Sequence, residues 1–266
     1  MRTLPDMNSV ALAVHDGITI FEVASVCEVF GVDRGIADPW YDFTVCGTGS
    51  QPHGPAELTW ALILALARQV PAEDAGIRAG AWQRTVGQDL AGRRLGLLGL
   101  GRLGRRVAAV GRAFEMDVVA WSQNLRAEEA AATGVRAVER DELLSTADVV
   151  SIHLRLSERT RGLIGARELA LMRPDAILVN TSRGPIVDEA ALIAALHAGT
   201  IAGAGLDVYD VDPLPPAHPL RTAPRTVLTP HLGYVTRATY ATFFRDVVED
   251  VEAYLDGAPV RVLGGG

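Results

Sequence analysis

Short apolar runs alternate with amphipathic stretches between residues 94 and 228. Each apolar run has the length and β-branched content of a buried strand, and each amphipathic stretch has the 3.6-residue period of a helix. Strand, helix and strand in regular succession predict a parallel sheet with helices on both faces, which is the α/β class. The predicted strands are Leu95–Gly99, Val118–Trp121, Arg136–Val138, Val149–His153, Ala176–Asn180, Gly203–Val208 and Thr226–Leu228. The predicted helices are Arg105–Phe114, Ala127–Thr133, Arg140–Ser145, Ala166–Leu171 and Glu189–Ala198.

The pattern outside this series predicts three regions. A strand (Val10–Val14), a helix (Phe21–Phe30) and a second strand (Tyr41–Cys46) come first, followed by a turn-rich stretch that marks a boundary. Helix Glu57–Val70, which we expect Pro71 to end, is apolar on most of its circumference. It therefore belongs between layers or in a subunit interface. We expect a β-α-β region over 1–52, a dinucleotide-binding domain over 53–233, and a tail over 234–266 whose helix Ala238–Leu255 returns to the first region.

Composition narrows the function classes. A net charge of −7 argues against a nucleic-acid-binding surface. The chain has no apolar run long enough for a membrane span and no signal-peptide pattern, so we expect a cytoplasmic protein without a membrane partner. Its two cysteines, Cys27 and Cys46, predict free thiols rather than a disulfide framework. Every basic residue is Arg, which excludes a Walker-type loop and a Lys Schiff base. We predict no metal site.

The motif Gly99-x-Gly101-x-x-Gly104 directly follows a predicted strand and precedes a predicted helix. This is the context that a dinucleotide-binding fingerprint requires. Gly99 permits the tight turn, Gly101 lets the backbone approach a pyrophosphate, and Gly104 lets the helix pack closely on the strand. The motif predicts a Rossmann-type, doubly wound sheet with the pyrophosphate at the helix N-terminus.

Polar residues follow the last three predicted strands. Arg183 comes after Asn180, Asp207 and Asp212 lie at and beyond the end of Gly203–Val208, and His231 follows Thr226–Leu228. Carboxyl ends of parallel strands share one edge of a sheet, so we expect these groups beside the dinucleotide. A guanidinium holds a carboxylate in bidentate fashion, and a histidine oriented by a carboxylate exchanges a proton near neutral pH. The set predicts hydride transfer between a nicotinamide cofactor and a small 2-oxo or 2-hydroxy acid.

From about Gly54 to Leu263 the chain resembles the D-isomer-specific 2-hydroxyacid dehydrogenases. The resemblance lies in residues 56–59, 99–104, 179–184, 205–208 and 230–233 (AELT, GLGRLG, VNTSRG, GLDV and PHLG), in that order. It implies Arg183 as the substrate-carboxylate binder, His231 as the general acid/base and Asp212 as the acid paired with it. It also implies a homodimer formed through the cofactor domain. The implied cofactor contacts are Gly99, Gly101, Arg102, Leu103, Gly104, Ser122, His153, Thr181, Asp207 (to the nicotinamide carboxamide) and Gly233.

The sequence departs from the family pattern at two positions. The family usually has Glu where this chain has Asp212, one methylene shorter. No acid follows Trp121 to accept a hydrogen bond from the ribose 2′-hydroxyl, and Arg126 lies close by in sequence, so NAD and NADP both remain open.

The first fifty residues resemble a different fold. Residues 10–30 and 41–47 are similar to the start of the class I glutamine-amidotransferase-like domain that precedes DNA-binding modules in AraC-type regulators. In the dehydrogenase family, a substrate domain of about a hundred residues precedes the region that begins here near Gly54. This chain has about half that length there, so we expect a short, incomplete flavodoxin-like region. Cys27 falls within a predicted helix and is given no catalytic role.

The alternative to a dehydrogenase is a dinucleotide-binding module with weak or no catalysis, acting in redox sensing or as a scaffold. A transcription regulator is disfavoured because no helix-turn-helix segment follows.

Overall fold

The computed structural model describes residues 9–14, 42–47 and 53–263. The chain divides into two compact units, one of residues 1–51 with 234–266 and one of residues 52–233. The larger unit, 52–233, contains the polar residues that the sequence assigns to the site.

The described strands are β1 (Ser9–Val14) and β2 (Asp42–Gly47) in the smaller unit, and seven in the larger one. Those seven are β3 (Arg94–Leu98), β4 (Asp117–Trp121), β5 (Arg136–Ala137), β6 (Val149–Ile152), β7 (Ile177–Asn180), β8 (Gly203–Leu206) and β9 (Thr226–Leu228). They form one parallel sheet of order β5-β4-β3-β6-β7-β8-β9. This arrangement confirms the predicted doubly wound α/β fold, and each predicted strand is within two residues of its observed bounds.

Helices cover both faces of this sheet. In chain order they are α1 (His53–Ala67), α2 (Val70–Arg78), α3 (Arg102–Ala113), α4 (Ala127–Ala131), α5 (Arg140–Thr146), α6 (Ala166–Leu171) and α7 (Glu189–Ala198). One apolar cluster packs α1 and α3 on one face of the sheet and includes Trp60, Ile63 and Val107. A second packs α5, α6 and α7 on the other face and includes Leu143 and Leu192. Helix α1 packs on α3, β7, β8 and β9, which explains its apolar circumference.

Three predicted helix bounds are wrong. The first helix begins at His53 rather than Glu57. Pro71 does not end the first helix: α1 stops at Ala67, Gln69 has a φ of 51°, and α2 begins at Val70 with Pro71 in its first turn. Proline is tolerated there because a first-turn N–H has no intrahelical acceptor. Helix α3 begins at Arg102 rather than Arg105, directly after the extended N-cap Gly101, so it includes Gly104.

In the smaller unit, β1 pairs in parallel with β2. Cys46 is buried and forms an isolated antiparallel bridge with Val262, and burial raises the pKa of its thiol. Helix α8 (Arg237–Leu255) packs on β1. The predicted helix Phe21–Phe30, with Cys27, lies outside the described residues, so the resemblance of this region to amidotransferase-like domains stays a prediction.

Candidate active site

The glycine turn joins β3 to α3. Gly99 has a φ of +105°, and a Cβ there would lie 2.7 Å from the His153 carbonyl oxygen. A Cβ on Gly104 would lie 2.1 Å from the carbonyl oxygen of Gly99. These two glycines are therefore required by the packing of the protein itself.

Gly101 differs from the other two glycines. Its φ of −79° and ψ of −157° are open to any residue. A Cβ built on it would meet no heavy atom within 4 Å among the residues that the structure describes. The packing of the chain does not explain why this residue is glycine. A ligand that approaches the backbone at the start of α3 does explain it, so the turn fits a dinucleotide pyrophosphate.

The end of β4 lies beside this turn, because the Gly99 N–H donates to the Trp121 carbonyl over 2.8 Å. The partly exposed Ser122 follows, where the sequence predicted a cofactor contact. Arg126 is 75% exposed and donates from Nε to Glu129 Oε1 over 2.8 Å. These contacts leave the choice between NAD and NADP open.

On the other side of the turn, His153 follows β6. Its Nε2 lies 2.9 Å from the hydroxyl of the buried Ser151. Burial lowers the pKa of the imidazole to about 4, so the ring is neutral at physiological pH. His153 is thus a neutral group fixed by its own strand, and its contact with a cofactor stays a prediction.

The buried Asn180 side chain shapes the turn that follows β7. Its Oδ1 accepts from the Ser182 N–H over 3.0 Å, and its Nδ2 donates to the Arg183 carbonyl over 2.9 Å. Arg183 is exposed, and its Nη1 donates to the Ser182 carbonyl over 2.7 Å. A guanidinium has five N–H donors, so this contact leaves others with which Arg183 can bind a carboxylate.

Thr181, in the same turn, is fixed by α1. The hydroxyls of Thr181 and the buried Thr59 are 2.8 Å apart. The Thr59 hydroxyl also lies 2.8 Å from the Pro55 carbonyl, which can only accept. Thr59 therefore donates to Pro55, and Thr181 donates to Thr59. This orients Thr181 with its acceptor lone pairs still available.

Asp207, 1% exposed, organises the loop after β9. Its Oδ1 accepts from the Thr229 hydroxyl over 2.6 Å and from the Leu232 N–H over 2.7 Å, and its Oδ2 accepts from the Gly233 N–H over 2.9 Å. Asp207 and Gly233 therefore bind each other, and their predicted contacts with a cofactor stay predictions.

His231 lies on this loop with a φ of +55°. Its Nδ1 is 3.0 Å from Asp212 Oδ2, and both side chains are about one third exposed. The shorter carboxylate thus reaches the imidazole. A positive φ is uncommon for a residue other than glycine, and such backbone conformations are frequent at functional sites.

The three loops after β7, β8 and β9 also contact one another. A Cβ on Gly184 would lie 2.0 Å from the Tyr209 carbonyl oxygen, so these two backbones touch. The hydroxyl of the buried Tyr209 donates to the Thr229 carbonyl over 2.9 Å. Sequence reasoning missed the roles of Asn180, Thr59, Tyr209 and Thr229. All four stand within or beside the motif segments, but no residue pattern tells a buried brace from a ligand contact.

A cavity of about 270 Å³ lies at the opposite edge of the sheet, around the amino ends of β6, β7 and β9. Its lining is mostly apolar, and its Arg93 and Asp148 form an ion pair of 2.9 Å. Among the described residues, no group of three or more His, Cys, Asp or Glu side chains is placed to hold a metal ion, and no helix is long and apolar enough to cross a membrane.

Comparison with known proteins gives consistent similarities. Residues 60–233 match the family model described as D-isomer specific 2-hydroxyacid dehydrogenase, NAD binding domain. The chain is 44% identical over 211 residues to a glyoxylate reductase of Aeropyrum pernix, and the match covers 76% of this chain and 63% of that protein. It is 39% identical over 215 residues to a D-3-phosphoglycerate dehydrogenase of Archaeoglobus fulgidus, covering 80% of this chain and 41% of that one.

A solved structure of a phosphoglycerate oxidoreductase from Vibrio cholerae matches with a TM-score of 0.81 and 34% identity, covering 94% of this chain and 85% of the other. The match to each of the two curated relatives spans less than two thirds of that relative's length.

Proposed function

The chain belongs to the D-isomer-specific 2-hydroxyacid dehydrogenase family, and we propose that it transfers a hydride between a nicotinamide dinucleotide and a small 2-oxo or 2-hydroxy acid. The observation that carries this proposal is the 3.0 Å contact between His231 Nδ1 and Asp212 Oδ2. The pair lies at the edge of the sheet that also carries the open glycine turn and Arg183.

The dinucleotide, when bound, supplies the hydride that the carbonyl carbon of the oxo acid gains. The turn from Gly99 to Gly104 would hold its pyrophosphate, with Ser122 beside the adenosine ribose and Thr181 and Asp207 towards the nicotinamide. The open space at Gly101 supports this placement. Arg102, Leu103, His153 and Gly233 complete the proposed lining.

Proton transfer falls to His231. Because Asp212 accepts from Nδ1–H, the second ring nitrogen, Nε2, is the one that gives a proton to the carbonyl oxygen during reduction and takes it back during oxidation. Arg183 binds the carboxylate of the acid and polarises the adjacent carbonyl.

Cofactor oxidation followed at 340 nm tests this proposal, with glyoxylate, pyruvate and hydroxypyruvate as substrates and with NADH and NADPH as cofactors. We expect turnover that His231→Ala abolishes while dinucleotide affinity is retained. Turnover no greater than that of His231→Ala would refute the dehydrogenase proposal. Binding of a dinucleotide without turnover on these acids would favour the alternative, a binding module.

We also propose a homodimer and a cytoplasmic location. Helix α1 is a poor candidate for the dimer contact, because its large apolar side chains Trp60, Leu62 and Ile63 are buried within its own unit. Exposed apolar side chains lie instead on α2 and the segment after it, with Val70 54%, Ile77 50%, Trp82 76% and Val86 90% exposed. Such a patch is typical of an interaction surface. A monomer mass by light scattering would contradict the dimer, and cell fractionation tests the location.

A further inference from the structure

The backbone of His231 adopts a conformation that the protein has to stabilise. Its φ of +55° lies in the left-handed region, which residues with a side chain seldom occupy. The imidazole reaches Asp212 from this backbone. The contacts that fix the loop before and after His231 therefore also fix the proton-transfer geometry, and this inference rests on the proposed function.

The carbonyl of Thr229 fixes the turn that leads into His231. It accepts the N–H of His231 over 3.1 Å, which closes the tight turn around Pro230. It also accepts the hydroxyl of Tyr209 over 2.9 Å. A carbonyl oxygen has two lone pairs, and these two donors occupy both.

Tyr209 is well placed to hold that carbonyl. The residue is 6% exposed, so its ring has little freedom to move, and its backbone is held by the close approach of its carbonyl to Gly184. The Tyr209 hydroxyl has one proton to donate. The Thr229 carbonyl oxygen at 2.9 Å is closer to it than the Leu206 carbonyl oxygen at 3.3 Å, so the hydroxyl donates to Thr229. Burial, with Asp207 and Asp212 nearby, raises the pKa of Tyr209 to about 12, so the hydroxyl remains a donor.

Asp207 holds the remainder of the loop. It accepts the hydroxyl of Thr229, which precedes His231, and the N–H groups of Leu232 and Gly233, which follow it. Among the described residues, the backbone N–H of His231 donates to the Thr229 carbonyl rather than to Asp207. Asp207 thus restrains the segment that follows His231, whereas the Thr229 carbonyl, held by Tyr209, bonds the N–H of His231 itself and restrains the turn before it.

We propose that Tyr209 is a positioning residue for the general acid/base: its buried hydroxyl fixes the Thr229 carbonyl, and the carbonyl closes the turn at Pro230 and so places the backbone nitrogen of His231, from which the imidazole reaches Asp212 and the substrate. Tyr209 itself touches neither substrate nor cofactor in this scheme. Tyr209 contributes to the position of the His231 imidazole, so it affects proton transfer rather than the binding of substrate or cofactor.

Tyr209→Phe tests the proposal because it removes one oxygen and leaves the ring in place. A positioned acid/base contributes about 10²–10⁴ to rate, so loss of part of its positioning is expected to lower kcat about tenfold. KM for the oxo acid and Kd for the dinucleotide are expected to change less than about twofold, since Arg183 and the glycine turn are unaffected. Amide hydrogen exchange in a peptide covering 229–233 is expected to accelerate.

The matched control is Tyr254→Phe, at a buried hydroxyl that has no hydrogen-bond partner among the described residues. It is expected to leave kcat and the exchange of 229–233 unchanged. Two results would overturn the proposal for Tyr209→Phe: an unchanged kcat with unchanged exchange, or a loss of kcat that a parallel rise in Kd and a lower melting temperature account for.

Failure of the proposed function gives a different result. If the wild-type protein turns over none of the acids, the dehydrogenase proposal fails, and the exchange comparison alone still decides whether Tyr209 holds the His231 backbone.

Discussion

Gly101→Ala is expected to separate dinucleotide binding from folding. The backbone at Gly101 has dihedral angles that alanine adopts freely, and the added Cβ meets no described heavy atom within 4 Å. Replacing glycine by alanine at such a position stabilises a protein by about 0.4–1 kcal/mol, because the unfolded chain loses entropy. A thermal melt is therefore expected to show an unchanged or slightly higher Tm, by about 2–4 °C at most.

Dinucleotide affinity is expected to respond in the opposite direction. The pyrophosphate has to approach the backbone at residue 101, and a methyl group there occupies the space that it needs. We expect Kd to rise at least about tenfold, which corresponds to about 1.4 kcal/mol of binding free energy. Titration calorimetry with NADH and with NADPH measures the change and also establishes which cofactor binds more tightly.

Gly104→Ala is the matched control at the same motif. Its Cβ would lie 2.1 Å from the Gly99 carbonyl oxygen, so α3 has to move away from the turn. Overpacking of this kind costs about 1–3 kcal/mol or more, and we expect Tm and affinity to fall together. Wild-type affinity in Gly101→Ala would refute the placement of the pyrophosphate. An equal loss of stability in the two variants would show that the space at residue 101 is not open.

Three further predictions concern the side chains around the turn. Asp212→Asn leaves the shape of the His231 pair but removes its charge, and we expect kcat to fall about 10²-fold or more with Kd for the dinucleotide unchanged in calorimetry. Arg183→Lys removes the guanidinium that binds a carboxylate in bidentate fashion, and we expect KM for the oxo acid to rise about 10-fold or more while the affinity for the cofactor stays constant. His153→Gln removes an imidazole whose pKa burial lowers to about 4 in the folded protein. Because the imidazole binds protons more tightly in the unfolded chain, the free energy of unfolding is unaffected by it above about pH 6.5 and falls by at most about 3 kcal/mol as the pH drops to about 4. Urea unfolding at pH 7 and at pH 5 measures this fall, which we expect to be smaller in the variant than in the wild type.

The controls for these three variants differ. His197→Gln changes an exposed histidine on α7 and is expected to reproduce the acid sensitivity of the wild type. Equal acid sensitivity in His153→Gln and the wild type would contradict the lowered pKa of His153. A raised KM with unchanged kcat in Asp212→Asn would show that the carboxylate binds substrate instead of orienting His231. An unchanged KM in Arg183→Lys would remove Arg183 from the carboxylate site.

The sheet could be predicted because its signal is local and repeated. Strands buried on both faces have to be apolar throughout, as β3 and β6 largely are, and the amphipathic segments between them have to be helices. The bounds near residue 70 could not be predicted in the same way. Pro71 fits either the end of one helix or the first turn of the next, and only the packing of α1 against the sheet decides between them.

In the candidate site, the exposed residues could be predicted from the sequence and the buried residues that fix them could not. Arg183, Asp212 and His231 stand on loops after strands and are at least partly exposed, so their chemistry is visible as polar residues at strand ends. The residues that fix them are buried: Thr59, Asn180 and Asp207 are at most 1% exposed and Tyr209 is 6% exposed. Their hydrogen bonds join α1 and three separate loops, over sequence separations that no local pattern encodes. It follows that substitutions at the exposed residues are expected to lower turnover with little loss of stability. Substitutions at the buried residues are expected to lower both, unless they preserve the shape of the side chain as Tyr209→Phe does.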